Sequence, residues 1–481
     1  MKFNEYRIDL RKLFLLLTIF SALFAIFYRF YLKGLMLIYI KYLDESIDID
    51  YYLDVFEYGD FSLLIIFILL LLIYFLFKPI QIIIMKINPA KFLLLCLILN
   101  FSFQLSILLL VKTLPISDSI FYIEHGLRLA KTGKYITENG NYTAFWPVGI
   151  PAILAFLKIL GLNEILFMKI LNMFFSGLLL IILYLVFKGL LDKNEIKIFL
   201  IFYSLNPNNL FAVNPILSEL PVNFLYWFCI LLIIYCIRKK DIKMFFLIGL
   251  IAGATSLFKS GGLILIIFIV LFIIYEKEFI IKRLLLFTLG AFIVLSPWTY
   301  RNYKVFKAFV PTFTNGGFNF LMGNHYHSKG GLNFDFEYDY KNADEVGEEK
   351  KAYTTAINDI KKNPLRFLIR LPKKLFYSYY RSDHFVTWSL KKTENSINPL
   401  LKSFVFFTTN GLSYLIILLS ILALVSRLNK MINLKTVKLI LLFYLLNIIL
   451  ILIYVGSERY VYPLFPIHLF FAINVIDLGE N

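Results

Sequence analysis

Residues 114–161 read LPISDSIFYIEHGLRLAKTGKYITENGNYTAFWPVGIPAILAFLKILG, and the way this stretch fails as a membrane span decides how the rest of the chain is read. It follows a long apolar run, Phe92 to Val111, yet is itself too polar to lie in hydrocarbon. Ile120, Ile123, Leu127 and Ala130 recur at helical spacing while Tyr122, His125 and Arg128 occupy another side, so the spacing predicts an amphipathic helix along the membrane surface, ended by Gly133. Val148 to Leu160, with Gly149 and Pro151 near its start and Gly161 after it, is about half the length of a span and reads as a second interfacial helix. Asp118 stands at the start of the first. It can cap that helix by accepting backbone N–H bonds, or act as a general base where a lipid-borne donor meets a water-borne acceptor.

Outward from this loop the chain is overwhelmingly apolar. Of 481 residues 59% are hydrophobic, and the mean hydropathy is +0.75. Runs near span length recur throughout, which predicts an all-α polytopic membrane protein. The first run, from Leu13 to about Ile40, is longer than a signal h-region and lacks a small-residue cleavage site, so it is expected to stay as a span. The formal charge of +17 fits cytoplasmic loops facing anionic headgroups, and nucleic acid is not an expected partner. Cys96, Cys229 and Cys236 all fall in apolar runs and give neither a disulfide framework nor a metal site.

Lysine and arginine set the expected topology. Lys2, Arg7, Arg11 and Lys12 place the N-terminus in the cytoplasm, and the acidic segment from Asp44 to Asp60 suits the opposite face. Lys78, Lys86 and Lys91 mark the next cytoplasmic turn, so Phe92 to Val111 delivers Asp118 to the outer side. Continuing in this way predicts about twelve spans with both termini cytoplasmic. The organisation is then N-terminal spans over 1–112, the outer loop over 113–166, a transmembrane core over 167–298, a small extracytoplasmic domain over 299–402 and C-terminal spans over 403–481. The Asn206-Pro207-Asn208-Asn209 break inside the 198–213 run needs protein or water around it, because unsatisfied backbone in lipid costs several kcal/mol.

With this topology the unusual polar groups collect on one side while the cytoplasmic loops offer mainly lysine and arginine. Glu219 in LSELP reads as a helix-start charge favoured by the dipole or as a second acid facing Asp118. Lys259 in FKSGG reads as a snorkelling terminus or as a phosphate ligand, with glycines beside it allowing close approach. Arg301 and Asn302 follow Trp298, an interface anchor, in SPWTYRN, and a guanidinium binds phosphate bidentately. Asn324 closes GGFNFLMGN, and Glu458, Arg459 and Tyr460 lie in SERYVYPLFP. His325 and His327 are too sparse a pair to assign a metal.

The ordered set ISDSIFYIEHGLRLAKTGKY with WPVGIPAILAFLKILG, then LSELP, FKSGG, SPWTYRN with GGFNFLMGN, and SERYVYPLFP, running from about residue 114 to the end, resembles the GT-C glycosyltransferases. The closest branch is that of the lipid-linked-sugar enzymes, which includes the protein O-mannosyltransferases and the lipid A aminoarabinose transferase. The resemblance implies a GT-C-like bundle and transfer of a sugar, with inversion at the anomeric carbon, from a polyprenyl phosphate to a lipid, glycan or protein acceptor on the extracytoplasmic or lumenal side. It implies Asp118 as catalytic base, Glu219 as second acid, and Lys259, Arg301 and Arg459 as ligands of the donor phosphate. Tyr122, His125, Arg128, Asn302, Asn324, Glu458 and Tyr460 are then candidates for substrate contact. No cofactor is required, since the leaving group is already a charged phosphate, although a divalent metal is compatible with the reaction. The membrane would be a cell inner or plasma membrane, or the endoplasmic reticulum. Two spans before the loop, within residues 13–77, depart from the simplest family layout.

Three other readings compete. A lipid or sugar transporter would place ionisable residues at mid-membrane on inverted repeats, and few charges and no repeat are found there. A polysaccharide polymerase or ligase would dispense with the early Asp118, relying on a late outer loop with an essential arginine or histidine. A structural subunit would make the polar cluster accidental.

Overall fold

The computed structural model describes residues 8–41, 49–259, 261–332 and 344–477. Lys2 and Arg7 of the N-terminal charge run, and Asp44, Glu45 and Asp48 of the acidic segment, lie outside them. Among the described residues eight helices are long and apolar enough to cross a membrane: Leu10–Ile38, Gly59–Lys86, Pro89–Leu110, Glu164–Phe187, Glu219–Lys239, Ile280–Phe306, Pro399–Leu428 and Lys435–Ile453. The chain is thus an all-α membrane protein. Its helix starts follow from sequence. Asn88, Asn163 and Asn398 each accept a backbone N–H of the first turn, two of them just ahead of a proline whose missing N–H costs nothing there.

Four of the expected spans are shorter than a bilayer needs. The 198–213 run divides into Glu195–Ser204 and Pro207–Phe211 because the Asn206 side chain caps a new helix at Pro207. Protein surrounds this break, and Asn209 donates to the Tyr203 carbonyl at 2.9 Å. Met244–Phe258 and Gly262–Glu276 have 15 residues each, and the last run shortens to Phe465–Ile473 after two 3-10 turns. The first of these crosses Ile280–Phe306 at near backbone contact. A Cβ on Gly249 would lie 2.1 Å from the Phe287 carbonyl oxygen, and one on Gly290 2.2 Å from that of Phe246.

The bundle has two chemically different ends. At one, Ile8–Asp9 pairs in parallel with Ile476–Asp477, so the described chain ends lie side by side. The lysine- and arginine-bearing turns gather there: Lys197 donates to the Ile84 and Met85 carbonyls, Arg427 to that of Asn474, and Lys240 and Lys435 pair with Glu278 and Glu276. The other end carries the 113–161 loop, whose helices are Asp118–Thr132 and Gly149–Ile159. It also carries the segment after Phe306, with Gly316–Asn324, Glu345–Lys362, Pro364–Tyr379 and His384–Leu390. The first two long helices pack beside Pro399–Leu428. Ile49–Glu57 docks them on this end, through Asp54 to Lys402 at 2.7 Å and through Tyr52 to Arg381.

Candidate functional site

Four charged side chains from four distant parts of the sequence meet at the loop-bearing end. Arg459, in a single 3-10 turn after Lys435–Ile453, stands between two carboxylates. Its Nη1 donates to Asp118 Oδ2 at 2.8 Å and its Nε to Glu219 Oε1 at 2.6 Å. Lys259 donates to the same Glu219 oxygen at 2.8 Å, and its ammonium lies 5.2 Å from the centre of the Tyr460 ring. The charges sum to zero, which lets all four sit where little solvent reaches. The two carboxylates hold the proton on Arg459 more firmly than usual in spite of its burial, so it is a fixed cation.

Local structure aims each group. Ser117 has φ +44°, on the left-handed side that favours glycine, and this turn starts the helix so that Asp118 faces inward. The Asp118 oxygens are met by Arg459 and, at 3.4 Å, by the Ser117 hydroxyl, rather than by the N–H groups of its own helix. Glu219 opens its helix and is 2% exposed. One of its oxygens takes both cations, while Oε2 is buried with no hydrogen-bond partner. Lys259 is released from helix geometry by its extended backbone, φ −159° and ψ 148°, after Phe258.

Glu219, Lys259, Arg459 and Tyr460 line a narrow cleft whose other walls include Val222, Leu450, Ile451 and Pro463. Asp118 is not in that lining; it lies one guanidinium away. A second narrow cleft lies across the Glu458–Phe465 segment and is lined by Asn206, Asn208, Asn209, Tyr379, Glu458 and His468 among others. Glu458 Oε1 is 3.6 Å from His384 Nδ1, beyond hydrogen-bond length. Burial would raise its carboxyl, but His384 and Arg381 outweigh burial and hold it down at about 2.

The structure therefore brings Asp118, Glu219, Lys259, Arg459 and Tyr460 together, with Tyr122 buried against them, and sends the other expected residues elsewhere. Arg301 donates to the carbonyls of Tyr135 at 2.6 Å and Thr143 at 2.8 Å and lies 4.9 Å from the Trp298 ring, so its guanidinium pins the outer loop instead of joining the cluster. Asn302 holds the Val310 carbonyl. His125 stacks on Tyr135 and meets the Ile136 carbonyl at 3.1 Å, and Arg128 pairs with Glu124 one turn before it. Asn324 binds the carbonyls at the end of Lys435–Ile453. Among the described residues no group of three or more His, Cys, Asp and Glu gathers as metal ligands.

Sequence reasoning missed a polar system in the segment between residues 366 and 387. Arg381 makes a two-pronged pair with Asp383 at 2.9 and 3.0 Å, and Thr387 donates to Asp383 at 2.6 Å. Lys374 is fully buried, donating to Asn324 Oδ1 and to the Leu452 and Ile453 carbonyls at 2.8 to 3.1 Å. Nothing in RLPKKLF distinguishes that lysine from a surface one, whereas Arg-Ser-Asp amid aromatic residues was a readable signal. Compared with known protein families and curated proteins, the chain matches no family model and no curated relative.

Proposed function

We propose that this chain is a membrane glycosyltransferase that moves a sugar from a polyprenyl-phosphate donor to an acceptor on the face opposite its basic turns. The observation that carries the reading is Glu219: one oxygen is tied by Lys259 and Arg459, the other is buried without a partner, and both cations line a cleft with an apolar wall. A phosphate on a hydrocarbon chain has the complementary chemistry, with anionic oxygens for the cations and a tail for Val222, Leu450 and Ile451. The free Glu219 oxygen suits a sugar hydroxyl.

In this reading the donor phosphate competes with Asp118 for Arg459. Its arrival frees the Asp118 carboxylate to take the proton of an acceptor hydroxyl or amine as that group attacks the anomeric carbon. The bond from sugar to phosphate oxygen breaks, the polyprenyl phosphate leaves with the electron pair, and Lys259 and Arg459 stabilise its growing charge. Arg301, engaged by the outer loop, is given no part in this step. The topology that goes with it has about twelve crossings, the short apolar helices completing the count within the protein.

A second reading is favoured by the complete pairing of both cations: the four charges form an ion clamp that fastens the loop to the bundle. One experiment separates the two. Purified protein in vesicles is given a radiolabelled polyprenyl-phosphate hexose, and Asp118→Asn is compared with the parent for release or transfer of label and for thermal unfolding. Transfer predicts turnover reduced by about 10² to 10⁴ with a modest change in unfolding. A clamp predicts a large loss of stability with no label moved by either protein.

A further inference from the structure

Pro364–Tyr379 is an amphipathic helix turned inside out. Three of its polar side chains, Arg370, Lys374 and Ser378, are 4%, 0% and 0% exposed. They face protein: Arg370 donates to the Asn324 and Tyr326 carbonyls, Lys374 caps the end of Lys435–Ile453, and Ser378 accepts from the Ser457 N–H at 3.1 Å. The opposite stripe is mostly apolar and open, with Leu365 65%, Leu368 57%, Ile369 52% and Phe376 62% exposed, and Pro372 and the long-stemmed Lys373 between them. In water that stripe would be the face to bury and the arginine and lysine the residues to expose.

We propose that this stripe lies in the acyl region of the leaflet at the site-bearing end of the bundle, making Pro364–Tyr379 a third membrane-surface helix. The occupant is lipid because the stripe continues a surface that already faces it. The helix is seated by Lys374 on the last turn of Lys435–Ile453, a helix of spanning length whose Leu445, Ile449 and Ile453 are exposed in the same way. Its 16 residues are about 24 Å long, too short to cross, and exposed Lys373 and Tyr380 suit the headgroup boundary. The preceding helix, Glu345–Lys362, shows the contrast, since its buried residues are Val346, Ala352 and Ala356 and its Lys350, Lys361 and Lys362 are exposed. This inference does not depend on glycosyl transfer.

The test uses full-length protein in vesicles of phosphatidylcholine and phosphatidylglycerol. Cys96, Cys229 and Cys236 are buried, so a nitroxide can be attached to one introduced cysteine at a time, at Leu368, Ile369 or Phe376, with the exposed Thr354 as a water-facing control. Relaxation by oxygen, which concentrates in lipid, is compared with relaxation by a water-soluble nickel chelate. Labels at 368, 369 and 376 should favour oxygen over nickel several-fold relative to the label at 354. Nickel access equal to that at 354 would overturn the proposal, and so would labels shielded from both reagents, which would mean a protein covers the stripe. Three positions guard against one variant failing to fold.

Discussion

Lys374 shows how much one residue can hold that its sequence context hides. Burial first, and the neighbouring Arg370 second, lower its ammonium from the usual lysine range to about 7. The sign follows from proton counting: between about pH 7 and the ordinary lysine value the unfolded chain carries the extra proton, so stability contributed at this site rises with pH across that window. Lys374→Met should cost at least about 2 kcal/mol at pH 7, because three buried oxygens lose a donor. Its deficit against the parent should widen as the pH is raised toward 10, as thermal unfolding in detergent would register. The legible residues were those that interrupt an apolar run: Asp118, Glu219, Lys259 and Arg459 each stand where a span begins or ends, and all four meet. Arg301 stands in an equally suggestive place, but its fate was decided by carbonyls at Tyr135 and Thr143, some 160 positions away in the chain.

At the scale of elements, the segment that carries Arg459 is fixed from beneath by Pro364–Tyr379. The Gly456 N–H donates to the Gly330 carbonyl at 2.8 Å, Ser457 donates to Ser378, and a Cβ on Gly456 would lie 2.2 Å from the Lys374 carbonyl oxygen. Backbone on that side cannot yield as a flexible side chain would. Gly456→Ala should therefore displace the turn holding Arg459, cost about 1 to 3 kcal/mol in unfolding free energy and weaken binding of a polyprenyl-phosphate analogue, measured by titration in nanodiscs. Unaltered stability and binding would show that the glycine is not needed for this approach. Long helices were legible because apolar length is a one-dimensional signal. The short ones were read too long: at Asn206-Pro207 a capping side chain, and at Glu458–Leu464 two 3-10 turns, end helices within runs whose composition stays apolar.

Over the whole molecule, the physical asymmetry is between the end that gathers Lys197, Lys240, Arg427 and Lys435 and the end where Asp118, Glu219, Lys259 and Arg459 meet beside a cleft. The positive-inside bias predicts that the first is cytoplasmic, and the pairing of Ile8–Asp9 with Ile476–Asp477 puts both described chain ends at that same end of the bundle. The sequence makes this orientation an expectation because loop charge is additive and local. It could not carry the clefts, which depend on how segments far apart in the chain pack. The orientation is decided by labelling. Asn139, at the tip of the outer loop, and Lys193, in the turn before Glu195–Ser204, are both exposed and belong to opposite ends. In intact cells a membrane-impermeant thiol reagent should modify Asn139→Cys and spare Lys193→Cys until the membrane is opened. The reverse pattern would put the Asp118–Arg459–Glu219–Lys259 cluster on the cytoplasmic face, where a donor flipped outward could not reach it, and the proposed reaction would fall with it.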